Sequence, residues 1–163
     1  YGMGVFIDIY PYDGLGTTEK EAVTYGMKGD RLSSLCYQST REHFAIETTT
    51  SLFRKIIKYP VFIGSKLIGK DYFQKKLNQL VKLKEYEDSN YIGCVVWLSG
   101  GKKEIFLRKW FDETVMVPFE KYQFRVPKDY DEVLRHTYGD YMQLPPEKDR
   151  IGHHYFKAYR KDE

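Results

Sequence analysis

Gly4-Val5-Phe6-Ile7-Asp8-Ile9-Tyr10-Pro11-Tyr12-Asp13-Gly14 alternates through its first half. Val5, Ile7 and Ile9 point to one side and Phe6, Asp8 and Tyr10 to the other, because strand side chains alternate. β-Branched and aromatic residues dominate, which predicts a strand. Pro11 cannot donate to a ladder, so the strand is expected to end there, and Asp13-Gly14 to turn the chain away. Asp8 is the odd member. A carboxylate in an apolar strand is costly unless it is paired or holds a metal. Two readings follow: a strand-end Asp that caps a turn or pairs with a lysine, and a metal-binding carboxylate at the end of a sheet strand.

The 163 residues suit one domain, 1–163, with a core of its own. Apolar residues make up 42% and aromatics 17%, with 15 tyrosines, which excludes a disordered chain and suits polar pockets or a stacking site. The formal net charge is only +3 and the basic residues are scattered. A nucleic-acid partner needs a clustered basic face, so none is expected. Cys36 and Cys94 show neither a disulfide framework nor zinc spacing, which makes a reduced, cytoplasmic setting the default. No apolar run is long enough for a transmembrane segment. The chain begins with Tyr1 and runs straight into the predicted strand; it reads as a piece of a longer protein.

Further along, Thr18-Glu19-Lys20-Glu21 fits a capping box, predicting a helix to about Cys36, with Gly26 and Gly29 weakening its middle. Leu52, Phe53, Ile56 and Ile57 mark the apolar face of a helix that Pro60 is expected to close. Phe73, Leu77, Leu80 and Val81 mark a third, with lysines on its solvated face. Tyr91 to Leu98 reads as a strand, Ser99-Gly100-Gly101 as a turn and Ile105-Phe106-Leu107 as a short extended segment. Residues 115–120 and 123–126 suit a hairpin, with Pro118 on an edge strand. Tyr130, Val133, Leu134, Thr137 and Tyr138 mark a last helix that Gly139 caps. Asp129-Tyr130-Asp131 has metal-site spacing, but it falls in that helix's first turn, where acids favour the dipole.

No phosphate-binding glycine loop and no nucleophile elbow is present. His153 and His154 are adjacent, so their side chains diverge; contact with a phosphate, proton transfer, metal ligation and an exposed tail all remain open. With Lys148 and Arg150 they make a cationic, proline-stiffened tail that could clamp a phosphate.

Gly4 to Asp13 resembles the strand signature of the LicD family. Tyr138-Gly139-Asp140-Tyr141-Met142-Gln143-Leu144-Pro145-Pro146-Glu147-Lys148-Asp149-Arg150, then His153-His154 and Ala158-Tyr159, resembles that family's C-terminal signature. Val117-Pro118-Phe119-Glu120 and residues 126–131 fit as well, while the helical middle shows no specific match. The resemblance implies an α+β, nucleotidyltransferase-like fold, present here in part: a small mixed sheet with packed helices. It implies metal-dependent transfer of phosphocholine, or a related phospho-alcohol, from CDP-choline or a similar CDP-alcohol to a surface glycan such as lipopolysaccharide, teichoic acid or capsule. It also implies Mg2+ or Mn2+, and a place at the inner face of the membrane. Asp8 matches the family's third metal carboxylate. Asp8 and His153 are the expected catalytic residues, and Tyr138, Asp140, Arg150 and His154 the expected substrate contacts. The family's Asp-x-Asp pair has no counterpart in these residues. The isolated piece is therefore expected to be a poor catalyst, and the rival expectation is a catalytically inactive glycan- or nucleotide-binding module.

Overall fold

A computed structural model describes residues 7–44, 52–98, 101–147 and 150. The architecture is α+β. Chain order is β1 (Asp13–Gly16), α1 (Glu19–Thr40), α2 (Leu52–Ile68), α3 (Lys70–Val81), β2 (Tyr91–Gly93), β3 (Phe106–Leu107), β4 (Thr114–Phe119), β5 (Tyr122–Pro127) and α4 (Tyr130–Tyr138). One sheet runs β1-β2-β3 and a second is the β4-β5 hairpin. Every strand pair among the described residues is antiparallel, so the expected mixed sheet is replaced by two antiparallel ones.

Of the predicted opening strand, Val5 and Phe6 lie outside the described residues, and in the described chain β1 begins only at Asp13. Residues 7–12 have no ladder partner, and Ile7 and Ile9 are each 88% exposed instead of facing a core. Pairing begins at Asp13, opposite Gly93, and Gly14 sits opposite Ile92. Asp13-Gly14 is therefore strand and not turn. Alternation marks which residues share a face, but a strand exists only where a partner satisfies its backbone. The partner here is short: β2 ends at Gly93, and the chain turns through Val95 and Val96 instead of extending to Leu98. Pro11 precedes the strand, where its missing N–H removes no ladder bond. Gly14 has a packing reason. A Cβ there would overlap the Glu85 carbonyl and Ser89 Oγ. Ser89, buried, accepts from Gly16 N at 3.2 Å and donates to the Glu85 carbonyl at 2.9 Å, which fastens β1 to the loop after α3.

α1 starts as predicted. Thr18 Oγ1 accepts from Glu21 N at 3.3 Å, and Glu21 Oε2 accepts from Thr17 N at 3.0 Å, one residue earlier than in the usual box. The helix runs to Thr40, four residues past the expected end. α2 differs in two respects. It passes through Pro60 to Ile68, and Phe53, Ile56 and Ile57 are exposed; the buried side carries Phe62 and Ser65. Pro60 removes one helical donor and its ring crowds the preceding turn, yet the apolar pattern resumes at once in Val61, Phe62 and Ile63, and burial of Phe62 offsets part of that cost. α3 agrees with its pattern: Phe73, Leu77 and Leu80 are buried.

Leu15, Ala22, Leu80, Val95, Leu98 and Ile105 form the core between α1, α3 and the three-stranded sheet. Tyr25 of α1 donates its hydroxyl to the Leu80 carbonyl, which also accepts from Leu83 N at 2.9 Å, so α1 is tied to the end of α3. The hairpin forms as predicted, with Pro118 opposite Gln123 on a two-stranded ribbon whose strands are both edges. α4 ends at Gly139, whose φ of 72° is left-handed and whose N–H reaches the Arg135 carbonyl at 2.8 Å. Among the described residues no helix is long and apolar enough to cross a membrane.

Candidate active site

Residues 7–12 lead into a cleft of about 380 Å³ between the sheet and α4. Tyr10 and Tyr12 approach it from the N-terminal stretch, Cys94 and Trp97 from the turn after β2, Glu104 and Phe106 from the segment entering β3, and Leu134 and Tyr138 from α4. Its floor is aromatic. Tyr12 stacks on Phe106 with centroids 5.4 Å apart and meets Phe111 edge-on at 5.4 Å. His136 packs edge-on against Phe106 and Trp110, each at 5.6 Å, and its Nε2 lies 2.9 Å from the Lys102 carbonyl. The outer end of α4 is thereby held against the sheet by rings.

The electrostatics are those of a partly dry, acidic hollow. Burial raises the Asp13 carboxyl above its ordinary value, opposed by the Val95 backbone N–H. Burial also raises the Cys94 thiol, and the charges of Asp13 and Glu104 add to this. A thiol so placed stays protonated at neutral pH and is no nucleophile. Burial pushes the Tyr12 phenol up, with Cys94, Glu104 and Tyr138 adding. These groups can bind and orient, but none is activated for covalent attack.

The expected site residues are distributed as follows. Asp8 is exposed in irregular backbone, two residues before Tyr10. Tyr138 lines the same cleft from α4, so the two ends of the chain that carry the signatures meet there. Asp140 is exposed beyond the helix cap, and its carbonyl accepts from Gln143 N at 3.1 Å. Arg150 folds onto its own segment, Nε donating to the Pro145 carbonyl at 2.7 Å. His153 and His154 lie outside the described residues, as does Lys148. In the first turn of α4, Asp131 is bound by Arg135 Nε at 2.6 Å and Tyr141 Oη at 2.5 Å, so the structural reading of Asp129-x-Asp131 holds. Tyr141 thus ties the tail to α4, while Met142 and Leu144 remain exposed. Sequence reasoning did not single out Tyr12, Trp97, Glu104 or Phe106; the high aromatic content was the available signal.

Asp8 offers a hard oxygen donor that solvent and ligands can reach, which suits one position on Mg2+ or Mn2+. Among the described residues no group of three or more His, Cys, Asp or Glu side chains lies together as a metal cage. Mg2+ commonly takes only one or two carboxylates and fills its shell with water and substrate phosphate oxygens, so Asp8 could supply one ligand of such an ion.

No family model and no solved structure matches the chain. Among characterised proteins, the lipopolysaccharide cholinephosphotransferase LicD of Haemophilus influenzae is 32% identical over 157 residues, covering 95% of this chain. The chain spans 57% of that relative's length. The similarity runs through the helical middle as well as both signature ends, and the chain belongs to the LicD family.

Proposed function

We propose that the protein transfers phosphocholine from a CDP-linked donor, CDP-choline in the first place, to a glycan of the lipopolysaccharide class. The observation that carries this reading is the 32% identity to the Haemophilus influenzae lipopolysaccharide cholinephosphotransferase over nearly the whole chain. The cleft lined by Tyr10, Tyr12 and Tyr138 is consistent with it, because phosphoryl transfer asks a protein mainly to position and to stabilise charge, and the groups present are binding groups.

In this reading a sugar hydroxyl of the acceptor attacks the choline-bearing phosphorus. A new P–O bond forms, the pyrophosphate P–O bond breaks, and CMP leaves. The hydroxyl proton passes to a carboxylate or imidazole, for which Asp8 and His153 are the candidates. A divalent cation, held in part by Asp8, would offset the charge on the donor's phosphates. Tyr138, which lines the cleft, and Asp140, Arg150 and His154 are proposed as substrate contacts. The domain is proposed as a single unit with a nucleotidyltransferase-like arrangement.

The test is direct. The full-length protein is incubated with CDP-choline, Mg2+ and lipopolysaccharide, and both CMP release and phosphocholine on the glycan are measured. Equimolar appearance of the two supports the proposal. CMP released without glycan modification, or no consumption of any CDP-alcohol, contradicts it.

A further inference from the structure

We propose that the cleft lined by Tyr10, Tyr12, Trp97, Phe106 and Tyr138 is the receptor for the quaternary ammonium group of the donor, an aromatic cage with a carboxylate among its walls. The proposal rests on the choline-transfer reading above and adds the residues that choose the alcohol.

The lining is the first support. Tyr12 and Phe106 are stacked at the floor, and Phe106 is buried. Tyr10, Trp97 and Tyr138 stand at the mouth, each more than half exposed and so open to a ligand. Ring faces attract a cation through their quadrupole, Trp most strongly. A trimethylammonium also presents methyl groups, which gain by leaving water for apolar walls.

Charge is the second. Glu104 brings a negative charge, and no Lys or Arg is among the described residues that line the cleft. A pyrophosphate receptor needs the reverse, cations or a row of N–H groups. Burial raises Cys94 and Tyr12, so the floor of the cleft is partly desolvated, which strengthens a cation's attraction to the rings there.

Position is the third. Tyr10 follows Asp8 by two residues, at most ~7 Å of extended chain. That is the scale on which phosphorus and nitrogen are separated in phosphocholine. A phosphoryl group held near Asp8 would thus have its ammonium head within reach of Tyr10. Such walls would favour choline over ethanolamine. A primary ammonium carries N–H groups that rings satisfy poorly, whereas a quaternary one has none to leave unpaired.

The experiment uses the full-length protein and three probes: choline, ethanolamine, and 3,3-dimethylbutan-1-ol, which has choline's shape without its charge. Calorimetry is run on wild type, Trp97→Ala, Trp97→Phe and Tyr138→Ala, with melting curves to check folding, and initial rates are taken with CDP-choline and CDP-ethanolamine. Choline is expected to bind about 10-fold more tightly than the neutral isostere, and each alanine variant to weaken it ~2- to 30-fold while Trp97→Phe keeps most of the affinity. Selectivity for CDP-choline falls in parallel, mainly through KM. Equal binding of choline and the isostere, or alanine variants with unchanged choline affinity and donor choice, overturns the cage. If CDP-choline is used and the variants change nothing, the cage fails and the transferase reading stands. If no CDP-alcohol is used but choline binds as described, the transferase reading fails and the ammonium site stands.

Discussion

Gly29 of α1 lies so close to Val95 that a Cβ on the glycine would overlap the Val95 carbonyl oxygen and Cγ1. This contact seats the helix on the turn that follows β2, the same turn that delivers Cys94 and Trp97 to the cleft. A helical glycine ordinarily costs stability relative to alanine; here the absent side chain is what permits the approach.

The sign of Gly→Ala substitution should therefore depend on position. Gly29→Ala is expected to destabilise by ~1–3 kcal/mol, because the obstruction is backbone that cannot rotate away. Gly26→Ala should cost less, since it meets the flexible end of the Leu98 side chain. Gly64→Ala, in α2 with nothing near the added methyl, should stabilise by ~0.5–1 kcal/mol. Urea denaturation of the three variants gives the order.

The start of α1 gives a second expectation. Thr18→Ala should cost ~1 kcal/mol through loss of the cap. Lys84, and after it the Thr17 N–H, hold the Glu21 carboxyl below its ordinary value. A lowered folded value means that stability is fully present above the unfolded glutamate's pKa and is lost as pH falls through the folded one. Acid unfolding of Glu21→Gln should therefore be shallower than that of wild type across this window, as followed by circular dichroism.

Asp13 has the opposite sign. Its folded value is raised by burial, so its contribution is favourable below the unfolded aspartate's pKa and is lost as pH rises through the folded value. Asp13→Asn keeps an oxygen for the Val95 N–H and removes the charge. It should melt higher than wild type at neutral pH, with the gap closing near pH 3. A variant that melts lower at neutral pH would show that the charged carboxylate stabilises the fold.

These contrasts show what was legible beforehand. α3, the β4-β5 hairpin, the Thr18 cap and the Gly139 terminus follow from local pattern, and local pattern suffices for them. The position of β1 does not follow from local pattern, because the alternation through Ile7 and Ile9 says nothing about which residues find a partner, and these two find none in a ladder. Pro60 was read as a stop because its missing donor is a local cost, whereas the burial of Phe62 that offsets part of it is tertiary. Of the residues that line the cleft, Tyr138 is legible in the C-terminal signature. Tyr12, Trp97, Glu104 and Phe106 come together only through the turn after β2 and the packing of α4, and no spacing along the sequence records that meeting.

The most direct test of the account is the initial rate of phosphocholine transfer from CDP-choline to lipopolysaccharide against Mg2+ concentration, for full-length wild type, Asp8→Asn and Asp13→Asn. Asp8 is exposed in unpaired backbone, so the amide should leave the fold intact, which melting can verify. The account predicts a loss of roughly 10²–10³-fold for Asp8→Asn, partly recovered by excess Mg2+, and a far smaller loss for Asp13→Asn. A near-normal rate for Asp8→Asn, or a greater loss for Asp13→Asn, would contradict it.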